Sequence, residues 1–267
     1  MRMGRIEETF KRLRTQGKKA LITYIMAGDP DLSATEALIS TIEQAGGDIL
    51  ELGVPFSDPV ADGPAIQRAS ERALQSKTTL RKVMVLVKRA RKDGAAIPVI
   101  IMTYYNIIFQ YGIDRFVKDA VSSGVDGAII PDLPPEEAED FIKYARPSGL
   151  DTIFLLAPTS TEERIKRIAS SSTGFIYYVS MTGITGARLH NISEIRGKIP
   201  GIRRHTALPV AVGFGISNED DAKRIAKWAD GVIIGSALVK LIEANRGKRL
   251  LLPRVAGFIR AMKGAIG

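Results

Sequence analysis

The feature that most constrains the fold is a repeat of short apolar runs, each followed by a segment with the spacing of an amphipathic helix. The runs are rich in Ile, Val and Leu and show little polar alternation, which is typical of parallel strands covered by helices. We expect strands to begin near eight positions: Ala20, Asp48, Ile97, Asp126, Asp151, Gly174, Leu208 and Asp230. The pattern therefore predicts an α/β protein with a parallel sheet.

Eight strand and helix units in a chain of 267 residues match a (β/α)8 TIM barrel in number and size. No linker or low-complexity tract divides the chain, so we predict a single catalytic domain over residues 1–267. An added N-terminal helix is expected over 5–14 and a helical tail over 251–262. Ser33 and Ser217 are predicted helix N-caps because a short polar side chain precedes each helical pattern.

A doubly wound sheet is the structural alternative to the barrel. Gly213-Phe214-Gly215 superficially resembles a dinucleotide-binding loop. However, Asn218 occupies the position of the third glycine, and the segment lies late in the chain rather than in a first strand and helix unit. The sequence therefore favours the barrel.

Charge and composition exclude several classes of function. The net charge is +9, but the basic clusters are scattered and not interleaved with aromatic residues, so we expect a solvated basic surface rather than nucleic-acid binding. No apolar stretch is long enough for a membrane span, and residues 1–19 are too charged for a signal-peptide core, so we expect a cytoplasmic protein. Cysteine is absent, and His190 and His205 lack acidic neighbours at a ligand spacing, so no metal site is predicted.

A glutamate near the end of the second apolar run is the first candidate for chemistry. Strand alternation directs Leu50 and Leu52 toward the helices, and Ile49 and Glu51 toward the barrel interior. Burial of an ionised Glu is unfavourable and raises its pKa toward values that suit an acid that also acts as a base. The alternative is structural: a Lys, an Arg or hydrogen bonds could pair Glu51.

Two aspartates follow in the loop after this strand. Barrel active sites lie at the carboxyl ends of the strands, where Asp58 and Asp62 are expected. Two carboxylates in unlike environments can hold different protonation states, so that one protonates while the other stays anionic. The structural alternatives are a turn for Asp58 and a helix cap for Asp62.

Glycines at the ends of the last two strands indicate a phosphate site. Strand seven ends in Val212-Gly213-Phe214-Gly215-Ile216-Ser217 and strand eight in Ile234-Gly235-Ser236. Backbone amides at glycine turns and at a helix N-terminus bind phosphate, and barrels often place this site after strands seven and eight. Tight packing of the turns is the alternative.

Strand six precedes a candidate lid. Alternation sends Tyr177 and Tyr178 to opposite sides, so one can line the pocket while the other packs beneath a helix. The glycine-bearing polar segment 181–188 that follows is the predicted lid.

Together these residues resemble one family, the tryptophan synthase alpha subunit. The matching segments are Gly28-Asp29-Pro30, Glu51-Leu52-Gly53-Val54-Pro55-Phe56-Ser57-Asp58-Pro59, Ala61-Asp62-Gly63-Pro64, Pro131-Asp132-Leu133-Pro134, Gly183-Ile184-Thr185-Gly186, Gly213-Phe214-Gly215-Ile216 and Gly235-Ser236. The resemblance spans nearly the whole chain, and its longest segment is specific.

The resemblance implies a retro-aldol cleavage of indole-3-glycerol phosphate into indole and glyceraldehyde 3-phosphate. It implies that Glu51 is the general acid and base, that anionic Asp62 accepts a hydrogen bond from the indole N–H, and that Tyr177 lies near the reacting centre. The substrate pocket is expected to include Tyr24, Tyr104, Asp132 and Phe214. The phosphate site is expected to include Gly186, Gly215, Gly235 and Ser236. Asp58 and Thr185 correspond to the signalling region and the closing loop.

The resemblance also implies a partner, a pyridoxal-phosphate beta subunit that receives indole and converts it with serine to tryptophan. We expect an α2β2 complex, with no cofactor in this chain. Two other functions are weighed against this one. The first is another phosphate-binding barrel enzyme of indole or sugar-phosphate metabolism, and the second is a non-catalytic regulatory barrel subunit.

Overall fold

A computed structural model describes residues 3–179, 192–213 and 215–267, with the side chains of 192–194 excepted. Nine strands in these residues form one sheet, and every pair of neighbours is parallel. The strands are β1 (Ala20–Met26), β2 (Ile49–Gly53), β3 (Val99–Met102), β4 (Gly127–Ile129), β5 (Asp151–Ile153), β6 (Leu155–Leu156), β7 (Ile176–Val179), β8 (Val210–Gly213) and β9 (Gly231–Ile234).

The order of the strands shows that the sheet curls into a nearly closed barrel. The order is β5-β4-β3-β2-β1-β9-β8-β7-β6, and the first strand pairs with the last in the chain through Ala20 and Gly231. The two ends of this order, β5 and β6, are separated along the chain by Phe154 alone. When β5 and β6 are counted as one interrupted strand, the barrel has eight, and the predicted (β/α)8 fold is confirmed.

Twelve helices lie in the described residues. They are α1 (Arg5–Thr15), α2 (Leu32–Gln44), α3 (Pro64–Gln75), α4 (Leu80–Lys92), α5 (Tyr105–Tyr111), α6 (Ile113–Ser122), α7 (Glu139–Ala145), α8 (Glu162–Ser171), α9 (Ile192–Arg203), α10 (Glu219–Ala226), α11 (Ser236–Asn245) and α12 (Leu251–Ile266). The added N-terminal helix and the helical tail are thus confirmed as α1 and α12. None of the described helices has the length and apolar content to cross a bilayer.

The predicted N-caps are wrong for two helices. The side chain of Asp31, rather than Ser33, accepts a hydrogen bond from the amide of Ala34 and caps α2. Asn218, rather than Ser217, caps α10 by accepting from the amide of Asp221 at 2.9 Å. Each cap is a neighbouring residue with a side-chain oxygen of suitable reach.

Alternation along the strands divides the apolar core into two parts. Leu50 and Leu52 pack between the sheet and the helices, whereas Ile49 packs inside the barrel, as predicted. Helix α1 closes the end of the barrel where the strands begin. Its Phe10 ring lies 5.8 Å from that of Phe175, centroid to centroid, among the interior residues. The carboxyl ends of the strands are therefore where a site can open.

An ion-pair network joins the elements around this open end. The guanidinium of Arg72 on α3 donates two hydrogen bonds, at 2.8 and 2.7 Å, to the buried carboxylate of Asp29 after β1. It also donates to Glu243 on α11 at 2.8 Å, and Arg68 binds the same glutamate. The network holds α3 against α11.

Candidate active site

A cavity of about 280 Å3 lies at the carboxyl ends of the barrel strands, close to the lower end of small-molecule pockets in size. Most strands contribute a wall residue, and the rest come from the loops after β2, β4, β8 and β9 and from the helices α3 and α11. The lining residues are Tyr24, Glu51, Ala61, Asp62, Ile66, Met102, Pro131, Leu155, Tyr177, Gly215, Ile216, Ser217, Ile233, Gly235, Ser236, Ala237 and Lys240.

Glu51 projects from β2 into this cavity and is 0% exposed. Neither carboxyl oxygen has a hydrogen-bond partner among the described residues, and no described Lys or Arg pairs with it. The structural alternative for Glu51, pairing by a base or by hydrogen bonds, therefore finds no support in the described residues. Burial raises the pKa of Glu51 from 4.5 to about 8, so the side chain is a neutral acid at pH 7.

Asp62 lines the same cavity from the loop that leads into α3. The N-cap of α3 is Gly63, and no side chain caps this helix, so the capping alternative for Asp62 is wrong. Instead, the hydroxyl of Tyr104 donates a hydrogen bond to the Asp62 carboxylate and accepts one from the amide of Ala61 at 3.0 Å. Tyr104 thus fixes the loop and the carboxylate together.

The two carboxyl groups hold different protonation states. Burial raises the pKa of Asp62 to about 6, and the hydrogen bond from Tyr104 opposes this increase. At pH 7 Asp62 is therefore mostly ionised while Glu51 is mostly protonated. One cavity thus contains a proton donor and an anion, as acid and base chemistry on a single substrate requires.

Two tyrosines complete the wall around Glu51. Burial raises the pKa of both Tyr24 and Tyr177. At the alkaline pH where a phenol would titrate, Glu51 and Asp62 are both ionised and raise it further, so both phenols stay neutral at pH 7. Tyr178 packs on the helix side of the sheet, so the predicted division of the tyrosine pair is confirmed. A Cβ on Gly53 would lie 2.2 Å from the hydroxyl of Tyr24, so the close packing of this ring depends on a glycine in the adjacent strand.

Three of the candidate phosphate-binding residues line the same cavity. Gly215, with a φ of +78°, lies after β8, and Gly235 and Ser236 lie at the start of α11. The first amides of a helix have no partners within it and face an incoming anion. The glycine-marked strand ends therefore meet the carboxyl groups in one cavity.

Other predicted residues lie elsewhere. Asp132 does not line the cavity, because its exposed carboxylate accepts a hydrogen bond from the amide of Tyr105 at 2.9 Å at the start of α5. Tyr104 lies behind the wall and contacts the site through Asp62. Asp58 is exposed on the loop surface and accepts a hydrogen bond from the hydroxyl of Ser57. The pocket, phosphate and lid predictions for Phe214, Gly186 and Thr185 lie outside the described residues.

Sequence reasoning missed several wall residues. The apolar ones are Ile66, Met102, Leu155 and Ile233. Met102 and Ile233 lie near the ends of β3 and β9, so the rule that barrel sites form at carboxyl ends could have identified them. Lys240 was also missed, although it lies one helical turn after Ser236. Among the described residues, no group of three His, Asp or Glu side chains is arranged to hold a metal ion.

Comparisons with known proteins bear on this arrangement. A family model described as "Tryptophan synthase alpha chain" matches residues 10–266. The chain is 55% identical over 264 residues to the tryptophan synthase alpha chain of Geotalea uraniireducens (strain Rf4), covering 99% of this chain and 98% of the relative. It is 51% identical over 265 residues to that of Geobacter sulfurreducens, covering 99% and 100%.

Solved structures give the same picture. The crystal structure of tryptophan synthase subunit alpha from Legionella pneumophila str. Paris has a TM-score of 0.91 at 40% identity, with 99% of both chains covered. A structure of Mycobacterium tuberculosis tryptophan synthase has a TM-score of 0.91 at 36% identity, again over 99% of both chains. Each similarity extends over almost the full length of both proteins.

Proposed function

This chain belongs to the tryptophan synthase alpha chain family, and from that premise we propose that its cavity cleaves indole-3-glycerol phosphate through Glu51 and Asp62. The chain is a carbon–carbon lyase of tryptophan biosynthesis, and the products are indole and glyceraldehyde 3-phosphate. The observation that supports the residue roles best is the buried, unpaired Glu51 in the same cavity as the ionised Asp62.

The proposed reaction begins with a proton transfer to carbon. Glu51 carries a proton at neutral pH and donates it to C3 of the indole ring. Protonation at C3 places positive charge on the ring nitrogen. Asp62 then accepts a hydrogen bond from the N–H and stabilises this charge, which an anion does better in a cavity shielded from water.

Cleavage follows when Glu51 acts as a base. Its carboxylate accepts the proton of the glycerol hydroxyl next to the ring, and the O–H electron pair forms the new carbonyl group. The carbon–carbon bond breaks, and its electron pair neutralises the ring to give indole. Glu51 ends the cycle protonated, so the proton count balances. The neutral hydroxyl of Tyr177 is proposed to hydrogen-bond the reacting side chain of the substrate.

Binding of the phosphate would fix the substrate along the cavity. We assign the phosphate to Gly215, Gly235 and Ser236, whose amides lie at a turn and at a helix N-terminus. The assignments of Gly186, Thr185 and Phe214 rest on the family resemblance alone. The apolar wall, which includes Met102 and Leu155, suits the indole ring.

The beta subunit remains part of the proposal. Family membership supports a partner that uses pyridoxal phosphate and takes indole from this chain, in an α2β2 complex in the cytoplasm. The proposed cleavage uses acid, base and hydrogen-bonding groups of this chain and assigns no step to a bound cofactor. No observation favours another phosphate-binding barrel enzyme or a non-catalytic regulatory barrel.

The test is an indole-release assay with purified protein and indole-3-glycerol phosphate, with and without a beta subunit. We expect Glu51→Gln and Asp62→Asn each to lower kcat by roughly 100-fold or more, while binding of glycerol 3-phosphate is retained. Glu137→Gln, at an exposed turn, is the matched control and should be as active as the unaltered protein. Full activity in Glu51→Gln would refute the proposed mechanism.

A further inference from the structure

The cavity has an uneven distribution of charge. Its described acidic side chains, Glu51 and Asp62, are the proposed catalytic groups, and Lys240 is the one cationic side chain among the described residues that line it. A phosphate group carries a charge of about −1.5 to −2 at neutral pH. The ionised Asp62 would repel such a ligand, so a compensating cation on the helix that begins at the candidate phosphate site changes how strongly the cavity attracts it.

The geometry of α11 directs Lys240 toward the phosphate end. Lys240 follows Ser236 by four residues, so the two share a face of the helix. Side chains of a helix lean toward its N-terminus, so a long side chain at 240 extends back toward the first turn. Lys240 lines the same cavity as Gly235 and Ser236, so this direction places its ammonium group within reach of a ligand at their amides.

The charge of Lys240 is available to a ligand. Lys240 is exposed at the rim, and it makes no hydrogen bond or ion pair with another described residue. Its natural helical neighbour, Glu243, is already bound by Arg68 and Arg72 at 2.8–2.9 Å. The arginines of α3 thus neutralise Glu243, and this carboxylate does not compete with a ligand for Lys240.

We propose that Lys240 binds the substrate phosphate from the rim of the cavity and supplies the positive charge that the backbone amides lack. This inference rests on the proposed function and adds a charged ligand to its phosphate site. Because the group is exposed, its contribution is electrostatic attraction and a solvent-screened contact rather than a desolvated ion pair. Lys240 therefore affects substrate binding more than the chemical step.

The test compares Lys240→Met with Lys240→Arg and with Lys92→Met. Lys92 is an exposed lysine in the last turn of α4, so its removal changes the net charge equally at a distant place. For indole-3-glycerol phosphate we expect Lys240→Met to raise KM about tenfold and to change kcat less than twofold. Lys240→Arg should restore most of the affinity, and Lys92→Met should match the unaltered protein.

Two further measurements isolate the phosphate. Turnover of indoleglycerol, the substrate without phosphate, should be the same in Lys240→Met and the unaltered protein. The KM difference for the phosphorylated substrate should shrink as ionic strength rises from about 0.05 to 0.5 M. An unchanged KM in Lys240→Met, or an equal loss with indoleglycerol, would overturn the assignment.

Ligand binding separates this inference from the proposed function. Calorimetric titration with glycerol 3-phosphate requires no turnover, and we expect affinity to fall about tenfold in Lys240→Met alone. If the unaltered protein releases no indole, the cleavage proposal fails while the titration still measures Lys240. If indole is released and the titration shows no difference, the lysine assignment fails alone.

Discussion

Replacement of Glu51 by Gln should remove the pH dependence that this one side chain imposes on the stability of the folded protein. In the unfolded chain a glutamate ionises near pH 4.5, whereas burial raises the pKa of Glu51 in the folded protein to about 8. Between these values folding takes up a proton. The stabilisation from protonated Glu51 is therefore complete below pH 4.5 and is lost as the pH rises to 8.

The magnitude follows from the raised pKa. Each pH unit between the two values corresponds to about 1.4 kcal/mol of unfolding free energy. The raised pKa therefore lowers the unfolding free energy by roughly 3 kcal/mol at pH 7, where folding must take up a proton, and by roughly 5 kcal/mol above pH 8, where the buried carboxylate is ionised. A domain is typically stable by only about 5–15 kcal/mol, so this cost is a large fraction of the total.

Equilibrium urea unfolding, followed by circular dichroism from pH 5 to pH 9, measures the effect. The buried amide that the substitution introduces changes the free energy of unfolding by an amount that does not vary with pH. The informative quantity is therefore how the difference in unfolding free energy between the two proteins changes with pH. From pH 5 to pH 8 we expect Glu51→Gln to gain roughly 3–4 kcal/mol relative to the unaltered protein. Glu137→Gln should give a curve parallel to the unaltered protein. Parallel curves for Glu51→Gln as well would refute a buried glutamate with a raised pKa.

Three other predictions follow from the same contacts. The pH profile of kcat/KM should be bell-shaped, rising near pH 6 as Asp62 ionises and falling near pH 8 as Glu51 loses its proton. Tyr104→Phe should move only the acid limb to higher pH, because it removes the hydrogen bond that lowers the pKa of Asp62. A flat profile from about pH 5 to 9 would contradict both assignments. Arg72→Met should destabilise the protein by about 3–5 kcal/mol in urea unfolding, because it leaves Asp29 buried and unpaired, and a loss below about 1 kcal/mol would show that the pair matters little. Gly53→Ala should destabilise by about 1–3 kcal/mol through contact with the Tyr24 hydroxyl, and the same substitution in a Tyr24→Ala background should cost clearly less; equal losses would place the strain elsewhere.

The sequence predicts those features of the fold that depend on local pattern. Period-two alternation in β2 is enough to place Glu51 inside the barrel and Leu52 outside it, because successive side chains of a strand point to opposite faces of the sheet. The glycines after β8 and β9 are likewise brought to one cavity by the parallel topology, since carboxyl ends of neighbouring strands share an edge.

Features that depend on contacts between loops are not predictable in this way. Asp132 follows a strand as a site residue should, yet its carboxylate is held by the amide of Tyr105, and nothing in the local sequence reveals that bond. Tyr104 acts through Asp62 for the same reason, because its hydroxyl reaches a loop more than forty residues earlier. Predicting the position of Lys240 requires knowledge of how α11 is rotated about its own axis, and the packing of its buried Leu238, Val239 and Ile242 in the core sets that rotation.

The pairing of β1 with β9 has a consequence for how the protein is made. On the ribosome, one edge of β1 must remain without its neighbour until residues 231–234 have emerged, after more than two hundred further residues have been synthesised. A nascent strand with free amide and carbonyl groups is a template for wrong association between chains. Premature termination before β9 should therefore yield fragments that aggregate, whereas the complete polypeptide can pair β9 with β1.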